Sequence, residues 1–254
     1  AAGDPSRYSI GSDKFQSQLI SYLGRVNYTL MDKYLLTGSF RVDGSSRFGE
    51  GNKYGYFPSI ALAWRISDES FMEALSVLSD LKLRTSYGVT GNQDIGNYQS
   101  QLLLSVAGTA VFNDNQFIGI SPIQLANPDL KWETTAQWDI GLDIELFDGR
   151  VSAVIDYFQK NTYDLLLNLP IPRTSGFTTS LQNVGDTENK GFDFSITSRN
   201  LTGDLGWTTT LVGTHVKNKA TSLGPLEDIY QGGVRFFNQM TVIRAGQPLN
   251  SYYG

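Results

Sequence analysis

The chain has 254 residues, no cysteine, 26 glycines and 12% aromatic residues, and its formal net charge is −5. The lack of cysteine excludes a disulfide scaffold, a cysteine zinc site and a thiol nucleophile, and the acidic balance argues against a nucleic-acid partner. No apolar run reaches the ~18 residues of a membrane-spanning helix, and a hydrophobic content of 40% argues against disorder. These limits leave an all-β chain of one or at most two domains.

Alternation of apolar and polar residues predicts β-strands along most of the chain. In the clearest segment, 136–147, every even-numbered residue is apolar and every odd-numbered residue up to Glu145 is polar or glycine. Side chains of a strand alternate between two faces, so this pattern gives one apolar face and one polar face, whereas a helix would mix the two sets. The same period recurs in segments 20–30, 34–43, 59–66, 81–90, 151–160 and 192–199 and, more weakly around Trp207, Leu211 and Val216, in 206–217.

The connections between these segments alternate between shorter and longer. The shorter links are Met31–Lys33, 67–80, Asp148–Gly149 and 200–205, and the longer stretches are about 44–58, 91–131, 161–189 and the part beyond about 218. Long loops are uncommon in compact soluble domains. The alternation therefore indicates a sheet with one short rim and one elaborate rim.

The link at 67–80 predicts a short helix. Ser70 and Glu73 form a capping-box pattern, and Phe71, Leu75 and Leu78 would share one helical face.

Transmembrane β-barrels have short turns at one rim and long loops at the other. We therefore predict an all-β fold, an antiparallel transmembrane β-barrel whose apolar faces meet lipid and whose polar faces line a lumen. A soluble β-sandwich, such as a carbohydrate-binding module, also alternates and is the alternative; detergent dependence separates the two. Aromatic residues near strand ends that suit interfacial girdles are Tyr34, Trp64, Trp132, Tyr157 and Trp207. Charged residues expected in the lumen are Arg25, Arg41, Arg65, Arg84, Asp139, Asp143, Glu145, Asp193 and Arg199.

Eight strands can close a small barrel, but the sequence carries no closure signal, and unpaired strand edges are costly in lipid. We therefore expect a segment of a larger barrel rather than a complete one.

Residue types that support catalysis are sparse. The single histidine, His215, is expected to be a structural or lumen residue, although an outer-membrane barrel enzyme would need it, and His215→Ala tests that possibility. Three carboxylates share a strand face, and either Asp139 with Asp143 or Asp143 with Glu145 could form a glycosidase pair. The favoured interpretation is that they are solvated charges of the lumen. Residues 113–115 resemble half a calcium loop without its glycine and distal glutamate. No catalytic residue, metal site or cofactor is predicted.

Several strings resemble the barrel of TonB-dependent transporters of the SusC/RagA type, found in Bacteroidetes outer membranes. They are Leu35–Gly49, Phe57–Ile66, Leu81–Gln93, Asn127–Glu133, Asp156–Phe158, Asn183–Gly185 and Asn189–Phe192. The matches follow the family's order from about Leu19 to Gly254 and are specific as a set.

The resemblance implies a 22-stranded barrel with an N-terminal plug and a TonB box, neither of which is in this sequence. Residues 1–254 would be a partial receptor β-barrel domain of about eight strands with long external loops, in a Gram-negative outer membrane. The family imports glycans or peptides, driven through TonB by the proton-motive force, under a lid formed by a SusD-type surface lipoprotein.

Aromatic residues in the long loops are the ligand candidates, because such rings stack on sugars and contact peptides. The alternative is that they pack within the loops, and the resemblance adds no motif-matched ligand residue. The candidates are Phe112, Phe117, Phe177, Tyr230, Phe236 and Phe237.

Overall fold

The main element of the fold is an antiparallel sheet of eight strands. A computed structural model describes residue 12 and residues 14–231, 241–249 and 251–252. In chain order the strands of the large sheet are β1 (Leu19–Leu30), β2 (Tyr34–Ser45), β3 (Tyr54–Arg65), β4 (Leu78–Asn92), β7 (Glu133–Leu146), β8 (Val151–Tyr163), β11 (Asp186–Leu201) and β12 (Trp207–Ser222). Each strand pairs with the next in this order, so the sheet is a meander.

Three small sheets lie within the long connections of the described chain. Their strands are β5 (Leu104–Phe112) with β6 (Asn115–Pro122), β9 (Leu166–Pro170) with β10 (Thr179–Asn183), and β13 (Asp228–Gln231) with β14 (Thr241–Arg244) and β15 (Ser251–Tyr252). The long connections predicted from the sequence therefore carry structure of their own.

The two rims of the large sheet differ as predicted. Met31 and Asp32 have positive φ angles of 54° and 57° in the β1–β2 turn, and Phe147 and Asp148 repeat this at 55° between β7 and β8. Such left-handed pairs make the tightest hairpins. The connections that contain the small sheets all leave from the opposite rim.

The register keeps apolar residues on one face of the large sheet. Leu36 pairs with Leu62 across β2 and β3, and Leu142 with Ile155 across β7 and β8. This face is open: Tyr22, for example, is 66% exposed. Among the described residues no second sheet covers it, which argues against the sandwich alternative. The charged strand residues predicted for a lumen all lie on the opposite face.

The predicted helix in the β3–β4 link is wrong. The structure has two 3₁₀ turns, Ile66–Asp68 and Ser70–Met72, and β4 already begins at Leu78. No side chain caps the second turn, so the capping box expected from Ser70 and Glu73 does not form. In the described part of the chain, no helix has the length and apolarity needed to cross a membrane.

The faces of β12 differ in part from the expectation. Leu211 pairs with Ile196 on the apolar face, but Val216 belongs to the polar face. His215 pairs with Phe192 and lies exposed on the apolar face, so its placement in a lumen is wrong. The period misleads here because threonine occurs on both faces of this strand and its two valines, Val212 and Val216, lie on the polar face.

Candidate functional site: the polar wall and the loop platform

The polar face of the sheet, here called the polar wall, carries an ion-pair network over three strands. Arg84 of β4 donates to Asp143 of β7 from Nε to Oδ2 at 3.0 Å and from Nη2 to Oδ1 at 2.7 Å. The same Nη2 lies 3.0 Å from Oδ1 of Asp156 on β8. Lys82 Nζ is 2.8 Å from Asp143 Oδ2. Bidentate arginine–carboxylate geometry makes this a well-oriented network.

Gly141 makes the longer of these bridges possible. In the register it lies between Arg84 on β4 and Asp156 on β8. A Cβ at this position would overlap Asp156 Oδ1 and lie 2.8 Å from Arg84 Nη2. The guanidinium therefore crosses the middle strand where there is no side chain.

The carboxylates of β7 have partners that favour a structural role over a catalytic one. Asp143 is fully engaged by Lys82 and Arg84, while Asp139 accepts hydrogen bonds from Ser86 Oγ at 3.2 Å and Gln137 Nε2 at 2.8 Å. Among the described residues no histidine or acidic cluster could hold a metal ion.

At the long-loop rim, residues from three connections pack into a cluster that we call the loop platform. Its buried members are Phe48, Phe57, Ile95, Leu130 and Trp132. Leu166 and Leu181, from the β9–β10 hairpin, pack against them. The long loops are therefore joined to each other and to the sheet.

Two glycines make room for the aromatic centre of the platform. The rings of Phe57 and Trp132 meet edge to face, with centroids 5.4 Å apart. Side chains at Gly55 and Gly91 would collide with the Phe57 ring. Trp132 also donates from Nε1 to the carbonyl of Lys53 at 2.9 Å. The prediction that Trp132 belongs to an interfacial girdle is therefore wrong.

Hydrogen bonds hold the loop backbones in place. Arg47, in the β2–β3 loop, donates from Nη1 to the Gln93 carbonyl at 3.1 Å and from Nε to Asn97 Oδ1 at 3.2 Å. These bonds fix the start of the 93–132 connection onto the neighbouring loop, because a guanidinium can serve two acceptors at once.

Two asparagines connect the 93–132 and 164–185 segments. They are the first residues of the strings Asn127–Glu133 and Asn183–Gly185. Asn183 donates from Nδ2 to the Lys131 carbonyl at 2.8 Å and accepts from the Lys131 backbone N–H at 2.9 Å. Asn127 donates from Nδ2 to the Leu181 carbonyl at 2.8 Å. The sequence displays these motifs, but their role is visible only in the folded chain, since each partner is more than 50 residues away.

Phe112 and Phe117 flank the tip of the β5–β6 hairpin. Their rings meet edge to face, with centroids 6.0 Å apart, and both stay exposed, at 65% and 54%. An exposed aromatic pair at a hairpin tip offers a ready surface for stacking.

The other candidate aromatics lie in different loops. Phe177 is half-buried before β10, where its backbone N–H donates to Ser175 Oγ at 3.3 Å. Tyr230 on β13 donates its hydroxyl to Asp228 Oδ2 at 3.1 Å. Phe236 and Phe237 lie outside the described residues. Of these candidates, Phe112 and Phe117 contact each other through their rings.

An aromatic pair also marks the short-turn rim. Tyr34 and Trp64 stack with centroids 6.3 Å apart. The Tyr34 hydroxyl and Trp64 Nε1 donate to Glu69 Oε1, at 2.7 and 3.1 Å, and Lys33 Nζ lies 3.2 Å from Oε2. The hydrogen bond from Tyr34, reinforced by Trp64 and Lys33, lowers the pKa of Glu69 below its usual range.

The family model described as TonB dependent receptor-like, beta-barrel matches residues 2–250. The chain belongs to this TonB-dependent receptor β-barrel family. It is 46% identical over 227 residues to TonB-dependent receptor P26 of Formosa agariphila, covering 89% of this chain and 23% of that protein. It is 38% identical over 251 residues to TonB-dependent receptor SusC of Bacteroides thetaiotaomicron, covering 94% of this chain and 25% of SusC.

A solved structure of the RagAB peptide transporter matches this TonB-dependent receptor segment with a TM-score of 0.83 and 32% identity, over 93% of this chain and 25% of that one. The segment thus spans about a quarter of the length of the curated relatives it matches. It is outer-membrane barrel wall of the SusC/RagA type. Its open apolar face is the face that meets lipid, and its polar wall faces the lumen.

Proposed function

We propose that this chain supplies wall and external rim to an energy-coupled outer-membrane importer of large nutrients, either oligosaccharides or peptides. Residues 1–254 form one partial barrel domain in this proposal. The observation that carries it is the combination of the polar wall with the loop platform. One face of a single sheet carries an ion-pair network, and the loops at one rim are joined by packing and hydrogen bonds. A large solute needs both a wide polar passage and a surface at its entrance.

The exposed aromatic residues of the long-loop rim form the solute-contacting surface in this proposal. Phe112 and Phe117 carry the largest share because they are exposed and adjacent, and Phe177 and Tyr230 contribute from the neighbouring loops. Aromatic faces bind sugar rings and peptide side chains with little loss of conformational freedom.

The whole importer would work with two protein partners. A SusD-type surface lipoprotein would close the external rim, and TonB would deliver energy through a part of the protein that lies outside this segment. The similarity to SusC and to the RagAB peptide importer supports both partners. The chemistry of import requires no catalytic residue from this chain.

Uptake of single nutrients by a deletion strain tests the proposal. The gene for the full-length protein is deleted and replaced by wild type, by Phe112→Ala with Phe117→Ala, or by Phe71→Ala. Phe71 is a matched control because it is also exposed, at 64%, but lies in the β3–β4 link at the short-turn rim.

Wild type and Phe71→Ala should restore uptake of one class of oligosaccharide or peptide, and the double variant should reduce it at least tenfold at equal surface levels. Disruption of TonB should abolish uptake in every strain. Uptake that persists without TonB would contradict energy coupling, and full uptake by the double variant would contradict the assignment of this aromatic pair.

A further inference from the structure

The lipid-facing side of the sheet carries two aromatic levels. An upper row of three rings crosses β7, β8 and β11 five or six residues from the long-loop end of each strand. It consists of Trp138, Tyr157 and Phe192, with centroid separations of 6.0 and 4.9 Å. Near the short-turn rim, Leu201 pairs with Trp207. From Phe192 to Leu201 the strand advances about 30 Å, or about 23 Å along a barrel axis tilted by ~40°. This agrees with the ~25 Å apolar band of an outer-membrane barrel.

Three lysines lie on the same face just beyond the upper aromatic row. On β11, Lys190 lies two residues from Phe192 on the side of the long-loop rim. It pairs with Lys217 of β12. Lys219 is the next residue of β12 on that face and pairs with Glu188. Because Phe192 and its neighbours end the apolar band, these ammonium groups lie at the level of the lipid headgroups.

Among the described residues, one carboxylate lies against the three lysines of this cluster. That carboxylate, Glu188, lies 3.0 Å from Lys219 Nζ and 3.4 Å from Lys190 Nζ through Oε1. Its Oε2 accepts a hydrogen bond from Gln159 Nε2 at 3.0 Å. Among the described residues Lys217 has no ion-pair partner and is exposed.

Lys190 and Lys217 also face each other directly across neighbouring strands. Like charges in that position destabilise a sheet. An anion bound between them would remove the repulsion, so the arrangement favours a ligand that brings negative charge to this height.

We propose that Lys190, Lys217 and Lys219 bind the phosphate groups of an anionic lipid headgroup in the outer leaflet. Lysine binds phosphate as a compact point charge, and basic clusters at the membrane surface attract anionic lipids. The cluster faces away from the lumen and adjoins the acyl-chain band, so its occupant is a phosphorylated lipid and not a solute in transit. The proposal depends on the membrane position of the sheet and not on which nutrient is imported.

Native mass spectrometry of the detergent-purified full-length protein tests this assignment. The probes are bisphosphorylated lipid A, the same lipid with its phosphates removed, and inorganic phosphate. The variant Lys190→Gln with Lys217→Gln and Lys219→Gln removes the cluster, and the corresponding triple arginine variant keeps its charge. Lys160→Gln is the control, because Lys160 lies on the polar wall of β8 and its loss removes a charge from the opposite face.

We expect bisphosphorylated lipid A to bind wild type, the arginine variant and Lys160→Gln alike, and to bind the triple glutamine variant at least tenfold more weakly. Dephosphorylated lipid should bind all four proteins equally weakly. If the triple variant does not fold, Lys217→Gln alone should lower binding at least threefold. Unchanged lipid A binding by the triple glutamine variant, or by Lys217→Gln where the triple variant does not fold, would overturn the proposal. The proposal would also be overturned if wild type bound the dephosphorylated lipid as tightly as lipid A, or if it bound inorganic phosphate in the absence of lipid.

Discussion

Arg84 reaches Asp156 over Gly141, and its Nη2 lies 3.0 Å from Asp156 Oδ1 on the far side of the middle strand. The bridge ties β4 to β8 without a direct backbone contact between them. A wall that must enclose water without a packed core gains rigidity from such cross-strand pairs.

Gly141→Ala should therefore destabilise the barrel. The added methyl group would displace the Arg84 guanidinium or Asp156, and overpacking of this kind costs roughly 1–3 kcal/mol. Denaturant unfolding of the full-length protein measures the change. Gly38→Ala is the control, because a Cβ there meets nothing within 4 Å; equal midpoints for the two variants would show that the bridge does not depend on Gly141.

Asp143→Asn should weaken the network from its centre. Arg84 and Lys82 would lose the carboxylate that they share, and hydrogen bonds to charged groups contribute roughly 1.5–3 kcal/mol. Asp139→Asn is the comparison, since Asp139 accepts only from the uncharged Ser86 and Gln137 side chains in the contacts described above. We expect the unfolding midpoint to fall at least twice as far for Asp143→Asn, and the reverse order would refute the network's role.

The Glu69 contact should make stability depend on acid pH. Because its folded pKa is lowered, the stabilisation is fully present above the usual pKa of a glutamate and is lost as the pH falls through the folded value. Glu69→Gln should lower the unfolding midpoint at pH 7, and the difference from wild type should shrink as the pH falls below the usual glutamate pKa. The control is Glu73→Gln, an exposed carboxylate of the same link. A difference that grows on acidification would contradict this sign.

Leu130→Ala should loosen the loop platform. Leu130 is fully buried among aromatic residues, and removal of a buried leucine costs about 2–5 kcal/mol. Because that energy holds external loops in place, proteinase K, which cuts at many residue types, should cleave the 93–132 connection faster on intact cells. Leu125→Ala, at a position 37% exposed in the same connection, should leave cleavage unchanged. Equal cleavage of both variants would mean that the loops are held by other contacts.

The sequence predicts the strands, their two faces and the two rims because each depends on local information. Alternation around Trp138 and Ile140 marks a face directly, and the tight turn at Asp148 fixes the short rim. The similarity of several strings to one family adds the membrane setting, which periodicity alone leaves open between barrel and sandwich.

Other features depend on pairing between distant segments and stay out of reach of a single sequence. The role of Gly141 follows from the register with two neighbours, and the burial of Trp132 follows from the packing of loops far apart in the chain. His215 was misplaced because β12 has apolar residues on both faces. The contribution of Phe236 and Phe237 to solute binding stays a prediction, since both lie outside the described residues.

The claim on which the account depends is that one face of the sheet touches lipid and the other water. The chain has no cysteine, so single cysteines at residues 138–145 of the full-length protein, with any others removed, can be spin-labelled in lipid bilayers. At even-numbered positions such as Ile140, labels should collide with dissolved oxygen and avoid a water-soluble nickel reagent. At odd-numbered positions such as Asp139 the preference should reverse. Equal accessibility at both, or the opposite alternation, would contradict the account.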